Sequence, residues 1–384
     1  MVTGSASRID LSGGLVNYTA DTVKPSWLIS EDGSRYSLNT ATADLRYTAL
    51  QNNGATVRNR WQDVVARYGA NPQGQLEAGY SEGRAAGALT VLAQQALLDG
   101  RIDALSAVGR RQVEGLDALA SRAAVSLTLT SPVADGLATQ AGDLRLAREV
   151  AGLGARYWAP LAEPEVDDAA LQAVLTGLGS RVAAPTLQAA NPGRLTLSTT
   201  GGLLSESGAA LALGPRATIS LTAQGSGGLR LGGDLASAGG TLAVRATDGA
   251  AGSAVGVTVA GPLTVDASVQ LDVSGTWVNQ QGLAAGQPVP AAALGGGNVT
   301  LQASHGLVLQ TGSHIDVSGG ATVRANGAIS GTSAGRIVAE GNLGVSTVGE
   351  PLAPFQLGAS LAGWALNGGG SLRLRAGELL ITAA

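Results

Sequence analysis

The chain repeats one phrase three times: Ile9-Asp10-Leu11-Ser12-Gly13-Gly14, then Leu271-Asp272-Val273-Ser274-Gly275, then Ile315-Asp316-Val317-Ser318-Gly319-Gly320. Each copy alternates apolar and polar residues and then turns at glycine, as a strand followed by a corner does. Around the copies lie short runs of Leu, Val, Ile, Thr and Ala separated by Gly, Ser, Asn and Asp. Because distant repeats of one strand-and-turn unit are typical of stacked coils, we expect a β-solenoid.

The clearest coils lie between residues 193 and 275. Matching strands begin at residues 195, 219 and 241, and one β-helix turn of three short strands and three corners needs about 20–25 residues. We therefore expect at least three parallel coils here, stacked about 4.8 Å apart. If about fifteen coils form in the whole chain, the shaft is roughly 70 Å long. The residues expected to stack inside these coils are Leu197, Leu221 and Leu242 or Val244.

The composition favours a narrow aliphatic core and argues against several classes of partner. The chain of 384 residues has 57 glycines but only 5 Trp, 6 Tyr and 1 Phe. Its net charge of −4 offers no basic patch to nucleic acid. The lack of cysteine excludes disulfides and thiolate metal sites. No run reaches the ~18 apolar residues of a transmembrane helix, so we expect no membrane span.

Two interruptions of the strand rhythm divide the chain into five segments. We expect β-helix coils at 1–52, 86–143 and 193–384, the last with a loop at 281–297. Residues 53–85 are predicted as a loop or helix insertion, and residues 144–192 as a partly helical insertion or connector with Asp168 as an N-cap. Both ends continue a strand pattern and the start lacks the features of a signal peptide, so we expect a piece of a longer protein.

The insertions carry aromatic residues for which two interpretations are open. In the first, both insertions pack on the outside of a coil and bury Trp61 and Trp158. In the second, they form a surface for a ligand or partner, since solenoids often bind through such excursions. The residues of this possible partner surface are Trp61, Tyr68, Tyr80, Tyr157 and Trp158.

The sequence offers no catalytic, cofactor-binding or metal-binding set. β-Helices also include enzymes that cleave acidic polysaccharides, and hydrolysis needs two carboxylates facing each other across a groove. His305 and His314 are predicted to be ordinary strand residues, although alternation puts His314 on the same face as Asp316. The carboxylates are mostly isolated, as at Asp99, Asp103, Asp234 and Asp266, or clustered near the predicted helix start at residues 163–168.

The repeated aspartate has two possible roles. Its carboxylate can accept a backbone N–H at the corner, as in an Asx turn, with the following glycine supplying a positive φ. The alternative is a Ca²⁺ site, which needs several converging oxygens. We favour the structural role for the corner residues, which are Asp10 and Gly13, Asp272 and Gly275, and Asp316 and Gly319.

The order of these phrases resembles the large filamentous haemagglutinin-like exoproteins of Gram-negative bacteria. The resemblance covers nearly the whole chain and is weakest over residues 130–190. The phrases that carry it include Ile9-Asp10-Leu11-Ser12-Gly13-Gly14 with Val16-Asn17, Glu77-Ala78-Gly79-Tyr80, Leu98-Asp99-Gly100, Leu271-Asp272-Val273-Ser274-Gly275 with Val278-Asn279, Gly295-Gly296-Gly297-Asn298, and Ile315-Asp316-Val317-Ser318-Gly319-Gly320.

The resemblance implies a right-handed parallel β-helix that is part of a fibre. It also implies export by two-partner secretion through a dedicated outer-membrane β-barrel. The family's Asn-Pro-Asn-Gly secretion motif is not matched, because Asn71-Pro72 is followed by Gln73 and Asn191-Pro192 by Gly193. This departure indicates an internal shaft segment.

We therefore expect an all-β protein, a right-handed parallel β-helix with two partly helical insertions. The function expected is a non-enzymatic shaft segment of a secreted, cell-surface adhesin-like exoprotein, without a cofactor. Its partners would be the secretion β-barrel during export and a host or neighbouring-cell receptor or glycan that the sequence does not identify. The alternatives are a polysaccharide-binding or -cleaving β-helix and the passenger of an autotransporter.

Overall fold

A computed structural model describes most of the chain, which forms two compact units. The first comprises Met1–Gly13, Ala85–Ser106 and Ala120–Ala384, and the second comprises Gly14–Arg84 and Ala107–Leu119. The described residues are 2–3, 6–23, 27–37, 41–42, 45–51, 56–58, 64–66, 75–109, 112, 120–130, 133–134, 137–138, 142–149, 179–249, 259–282, 293–343 and 353–377.

The first unit is a parallel β-helix with three faces, which confirms the predicted fold class. The first face has eight strands, in spatial order Ala88–Ala93, Ala124–Leu129, Arg194–Thr199, Thr218–Ala223, Thr241–Ala246, Asn298–Ala303, Arg336–Glu340 and Ser371–Arg375. The second has nine, in spatial order Val2–Thr3, Leu97–Leu98, Ser180–Ala183, Leu144–Ala147, Leu203–Ser205, Leu229–Leu231, Leu263–Val265, Leu307–Leu309 and Phe355–Leu357. The third face includes five stacked strands, Leu211–Ala212, Leu235–Ala236, Gln270–Asp272, His314–Asp316 and Ser360–Ala362.

The strands of the first face stack in register. Leu197 pairs with Leu221, and Leu221 pairs with Val244. All three side chains are fully buried, because alternate residues of each strand point into the helix. The prediction of at least three parallel coils between 193 and 275 is confirmed, with Val244 rather than Leu242 in the row of Leu197.

The number of coils was overestimated. The longest stack in the described part of the chain has nine strands, whereas the sequence suggested roughly fifteen coils at ~20–25 residues each. Part of the difference is that residues 14–84 belong to the second unit.

A short helix replaces one strand of the third face. The helix Ala184–Ala190 packs between the strand Arg101–Asp103 and the strand Leu211–Ala212. It has a proline in its first turn, and it ends at Asn191, whose φ of 44° is left-handed. Ala184, Leu187 and Ala190 are buried at helical spacing, so the helix fills the interior much as a strand would. The helix predicted after Asp168 lies outside the described residues.

Two strands of the second face lie in an order that differs from their order in the chain. The strand Ser180–Ala183 lies between Leu97–Leu98 and Leu144–Ala147, although it follows the latter in sequence. Both contacts are parallel. Residues 144–147 and 180–190, which the sequence assigned to an insertion or connector, thus contribute to the stack itself.

The second unit contains antiparallel strands. Its pairs are Leu15–Tyr18 with Tyr80–Gly83, Asp21–Val23 with Gln75–Glu77, Trp27–Ser30 with Arg35–Ser37 and Tyr47–Gln51, and Thr56–Arg58 with Val64–Ala66. Residues 15–51 therefore differ from the coils predicted at 1–52. Alternating strand patterns do not distinguish antiparallel from parallel partners, because the side-chain period is two in both.

The described residues of the first unit also form two separate strand pairs and one three-stranded sheet. Val133–Ala134 pairs antiparallel with Leu137–Ala138. Arg8–Asp10 pairs parallel with Arg101–Asp103. Trp277–Asn279 pairs parallel with Ala321–Val323, which pairs antiparallel with Ile329–Gly331. This last sheet follows the corners after Asp272 and Asp316.

Candidate functional site

Two exposed tryptophans of the first unit lie close together beside the third face: Trp277 begins the strand Trp277–Asn279 of the small sheet, and Trp364 follows the strand Ser360–Ala362. Trp277 and Trp364 are each 55% exposed, and their ring centroids are 6.2 Å apart at an interplanar angle of 46°. Ile329 and Leu366 are also mostly exposed. We call the four residues Trp277, Ile329, Trp364 and Leu366 the tryptophan surface.

Small residues form the floor beside the tryptophan surface. Trp277 pairs with Ala321, and Ala321 pairs with Gly331, so the three residues project from the same side of the sheet. Ala321 is fully buried. A side chain at Gly331 would overlap the Cβ atom of Leu366. The 364–366 segment can therefore lie directly against the sheet.

Backbone hydrogen bonds hold this surface in place. The carbonyl of Trp364 accepts the N–H of Gly319 at 2.8 Å, and the N–H of Asn367 donates to the carbonyl of Thr332 at 3.3 Å. On the opposite side of the sheet, the hydroxyl of Thr322 accepts the N–H of Ala293 at 3.0 Å. Ala293 thus contacts one side of the sheet, while the other side carries Trp277 and the 364–366 segment.

Trp277 and Trp364 are not among the residues that the sequence predicts for a partner surface. A signal was available, because Trp277 lies three residues after Ser274 in one copy of the repeated phrase and alternates outward with Asn279. Trp364 follows the third-face strand Ser360–Ala362, in register with His314–Asp316. Their proximity depends on the stacking of successive coils, which the spacing of 87 residues does not reveal.

The predicted partner surface is only partly within the described residues. Trp61, Tyr68, Tyr157 and Trp158 lie outside them. Tyr80 lies in the second unit and stacks on Tyr18, with ring centroids 4.7 Å apart and an interplanar angle of 18°. Tyr18 is 40% exposed. Whether the two insertions bind a partner stays a prediction.

Each corner aspartate accepts a backbone hydrogen bond from the residue two positions on. The Oδ1 atoms of Asp10, Asp272 and Asp316 accept the N–H of Ser12, Ser274 and Ser318 at 2.9, 2.8 and 2.7 Å, respectively. This is the geometry of an Asx turn. Asp272 and Asp316 are also register partners on adjacent coils. The repeated phrase thus ends the strands Arg8–Asp10, Gln270–Asp272 and His314–Asp316 in the same way.

The corner glycines serve a different purpose from the one predicted. The prediction that they supply a positive φ is wrong for Gly275 and Gly319, which do not lie in the left-handed region. A Cβ atom at Gly275 would instead overlap the carbonyl oxygen of Leu294, and one at Gly319 would press on Ala365 and Ser333. Close approach of neighbouring backbone is therefore what excludes a side chain at these corners.

Replacing Asp316 by alanine is expected to lower the free energy of unfolding by about 1 kcal/mol, because the N–H of Ser318 loses its acceptor. Urea denaturation of the two proteins measures this. Asp316→Asn is the control, since its amide oxygen can still accept the bond and should retain most of the stability. Calorimetry with Ca²⁺ tests the alternative role: a saturable heat that disappears in Asp316→Ala would contradict a purely structural aspartate.

An ion-pair network joins the first copy of the phrase to the next coil. The sequence Arg-Ile-Asp occurs at 8–10 and at 101–103, and the two copies pair in register. The carboxylate of Asp103 accepts the Nε–H of Arg8 and of Arg101, both at 2.5 Å. These bonds, that of Arg101 foremost, lower the pKa of Asp103. The N–H of Ser12 similarly lowers the pKa of Asp10.

Acid should weaken this network. Because both aspartates have lowered folded-state pKa values, their stabilisation is complete above the ordinary aspartate pKa of 3.8 and is lost as the pH falls through the folded-state values. We expect the melting temperature of the native chain to fall between about pH 5 and pH 2. Asp103→Asn should be less stable at pH 7 and show a shallower fall. An equally steep acid dependence in the variant would contradict the network's role.

Three other carboxylates, those of Asp234, Asp266 and Glu340, contact polar groups of the protein. Asp266 contacts the Nε of Arg230 at 3.0 Å, and Asp234 accepts the N–H of Gln270 at 2.8 Å. Buried Glu340 accepts the Nε2–H of Gln302 at 2.9 Å and contacts the Nε of Arg373 at 3.2 Å. Burial raises the pKa of Asp99.

The two histidines contact different partners. The Nε2 atom of His305 lies 2.9 Å from the Oδ1 atom of Asp248, which also accepts the N–H of Ala260. The Nδ1 atom of His314 lies 2.7 Å from the hydroxyl of Ser360 on the next coil. His314 and Asp316 both point away from the buried Ile315, as alternation predicted. The Oδ1 atom of Asp316 accepts the N–H of Ser318.

The described residues contain neither a candidate metal-binding cluster nor a candidate membrane-spanning helix. Within that part of the chain, no group of three or more His, Asp or Glu side chains could hold a metal ion. No helix there combines the length and apolar character needed to cross a bilayer.

Comparison with known proteins gives no relative from which a role could be transferred. Neither a protein-family model, nor a curated protein, nor a solved structure matches this chain.

Proposed function

We propose that this chain is a shaft segment of a secreted, cell-surface adhesin-like exoprotein, of the filamentous haemagglutinin-like kind that its phrases resemble. The observation that carries the proposal is the unbroken register of parallel strands along the first face, from Ala88–Ala93 to Ser371–Arg375. Such a stack grows in one dimension, because each coil contacts only its neighbours. A scaffold of this kind holds surface groups at a distance from its base.

The corners support a display role. At the third-face corners the chain leaves the stack as a separate sheet, while the stacked strands continue above and below it. Excursions at corners cost little, since the entropy of closing a loop rises only slowly with its length. The shaft can therefore carry exposed groups, such as the tryptophan surface, without interrupting its own pairing.

Antibody labelling of intact cells that make the parent protein tests this proposal. We expect antibodies raised against the purified chain to label unpermeabilised cells or to detect the protein in the medium. A periplasmic marker that stays unlabelled is the control for intact outer membranes. Labelling that requires permeabilisation would contradict a surface role. Export through a dedicated outer-membrane β-barrel and the autotransporter alternative are then separated by deleting the candidate partner gene.

The polysaccharide-cleaving alternative predicts a different result. We propose that the chain is not an enzyme, and expect no unsaturated or reducing ends when it is incubated with pectin, alginate or glycosaminoglycan. The carboxylates Asp103, Asp266 and Glu340 already accept bonds from arginine or glutamine side chains, which leaves them poorly suited to proton transfer. Release of sugar ends that a single Asp or Glu substitution abolishes would establish the alternative.

A further inference from the structure

We propose that the tryptophan surface binds an uncharged polysaccharide through the apolar faces of its sugar rings. The inference deepens the display role proposed above and rests on it for its biological setting, since it names a ligand for a surface that the shaft carries.

The first step is that Trp277 and Trp364 are exposed in a defined position. Their exposure does not result from loose packing of the surrounding chain. Each indole contacts the other, the 364–367 backbone is fixed by hydrogen bonds to Gly319 and Thr332, and Thr276, next to Trp277, donates its N–H to the carbonyl of Leu294. The fully buried Ala321 and the side-chain-free Gly331 close the floor between the sheet and the 364–366 segment. A monomeric protein rarely leaves contiguous large apolar side chains exposed unless they serve a contact.

The second step concerns the shape of the surface. The two rings are too close together, at 6.2 Å, to admit another ring between them. With a tilt of 46° they instead present two adjoining planes. Such a pair suits a ligand that lays successive flat units on its outside. Indoles offer an apolar face together with one N–H donor, and a sugar ring offers C–H groups on its face and hydroxyls on its edge.

The third step concerns the charged residues near the tryptophan surface. Between residues 273 and 335 the sequence has one acidic and one basic residue, Asp316 and Arg324, and between 355 and 370 it has neither. The carboxylate of Asp316 is engaged by the N–H of Ser318. Arg324, in the exposed turn before Ile329, is the one Lys or Arg in these two ranges. A surface with so little positive charge offers weak attraction to anionic glycans, nucleic acid and acidic membranes, all of which depend on Lys and Arg.

Neutral polar groups replace charges around the indoles. Asn279 lies on the same strand and side as Trp277, and Asn367 directly follows Leu366. Ser333 donates its hydroxyl to the carbonyl of Asn367 at 2.6 Å. Amides can donate to and accept from sugar hydroxyls. Indoles flanked by amides without charge therefore favour a neutral glycan over a charged one.

Affinity electrophoresis of the purified chain in gels containing soluble neutral glycans tests the proposal. The probes are xyloglucan, a β-1,3-glucan, galactomannan and glycol chitin, with heparin and alginate as anionic comparisons. We expect at least one neutral glycan to retard the chain, with little dependence on salt. Trp277→Ala and Trp364→Ala should each weaken that retardation by about tenfold or more, and Trp364→Tyr should retain part of it.

Leu92→Ala is the matched control, because Leu92 is 71% exposed but lies on the first face. It should leave retardation unchanged, and thermal melting shows that every variant is folded. Failure of all the neutral glycans, retardation by heparin or alginate alone, or neutral binding that survives both tryptophan substitutions would overturn the inference. So would a dimer of the native chain that Trp277→Ala dissociates, since the surface would then be occupied by a second copy. None of these results affects the cell-labelling test of the shaft.

Discussion

Replacing Leu221 by alanine should lower the free energy of unfolding by about 3 kcal/mol. Leu221 is fully buried in the first-face row between Leu197 and Val244. The truncation leaves a cavity that neighbours on two coils cannot fill, because their backbones are fixed by the same ladder of hydrogen bonds. Urea denaturation followed by far-ultraviolet circular dichroism provides the measurement.

The control for this prediction is the next residue. Thr222 belongs to the same strand but points outward. Thr222→Ala should change the stability by less than about 0.5 kcal/mol. If both substitutions had the same effect, the assignment of inside and outside rows would be wrong.

Replacing Gly335 by alanine should destabilise the first unit by about 3 kcal/mol or more. An added Cβ atom would overlap the carbonyl oxygen of Gly297, which belongs to the backbone of the neighbouring coil. Backbone cannot rotate away as a side chain can, so the coils themselves would have to separate. The expected measurement is a large fall in the urea midpoint, with loss of soluble protein at higher temperature.

Gly142→Ala controls for the change in backbone freedom. Gly142 has no atom within 4 Å of an added Cβ and has no left-handed φ. The substitution there should be neutral or slightly stabilising, since alanine restricts the unfolded chain. A Gly335→Ala variant as stable as Gly142→Ala would show that the coils are not stacked as closely as described.

The sequence predicts the stacked coils well where its signal is local. The strands Arg194–Thr199 and Thr218–Ala223 alternate buried apolar residues with more exposed polar ones. The similar spacing of matching strands, which begin at residues 195, 219 and 241, then favours one register, because a slip of one residue would turn their leucines outward. The parallel β-helix therefore follows from short-range pattern plus repetition.

Three features could not be predicted because they depend on distant contacts. The helix Ala184–Ala190 takes the place of a strand only because it fits between Arg101–Asp103 and Leu211–Ala212. On the second face, Ser180–Ala183 comes before Leu144–Ala147, which reverses their order in the chain. No local feature of the sequence indicates this reversal. Antiparallel pairing in the second unit has the same period of two as the coils.

The candidate site was missed for a related reason. The aromatic residues predicted to form a partner surface lie in the two interruptions of the strand rhythm. Trp277 and Trp364 lie instead within the strand-rich region. Only the stacking of the coils brings Trp364 within 6.2 Å of Trp277. The glycine corners show the same limit: the sequence identifies Gly275 and Gly319 as corners, but the crowding that requires glycine comes from residues 294, 333 and 365.

Disulfide formation between engineered cysteines tests whether the parallel strands stack in register, since the chain has no cysteine of its own. Ser198 and Thr222 are outward-facing register partners on adjacent parallel strands, at a Cα separation of about 4.8 Å that a disulfide can span. We predict that Ser198→Cys with Thr222→Cys forms a bond under mild oxidation, identified by peptide mapping. Ser198→Cys with Thr218→Cys, four residues out of register, should remain reduced. A bond in the second pair but not in the first would contradict the stacked parallel β-helix.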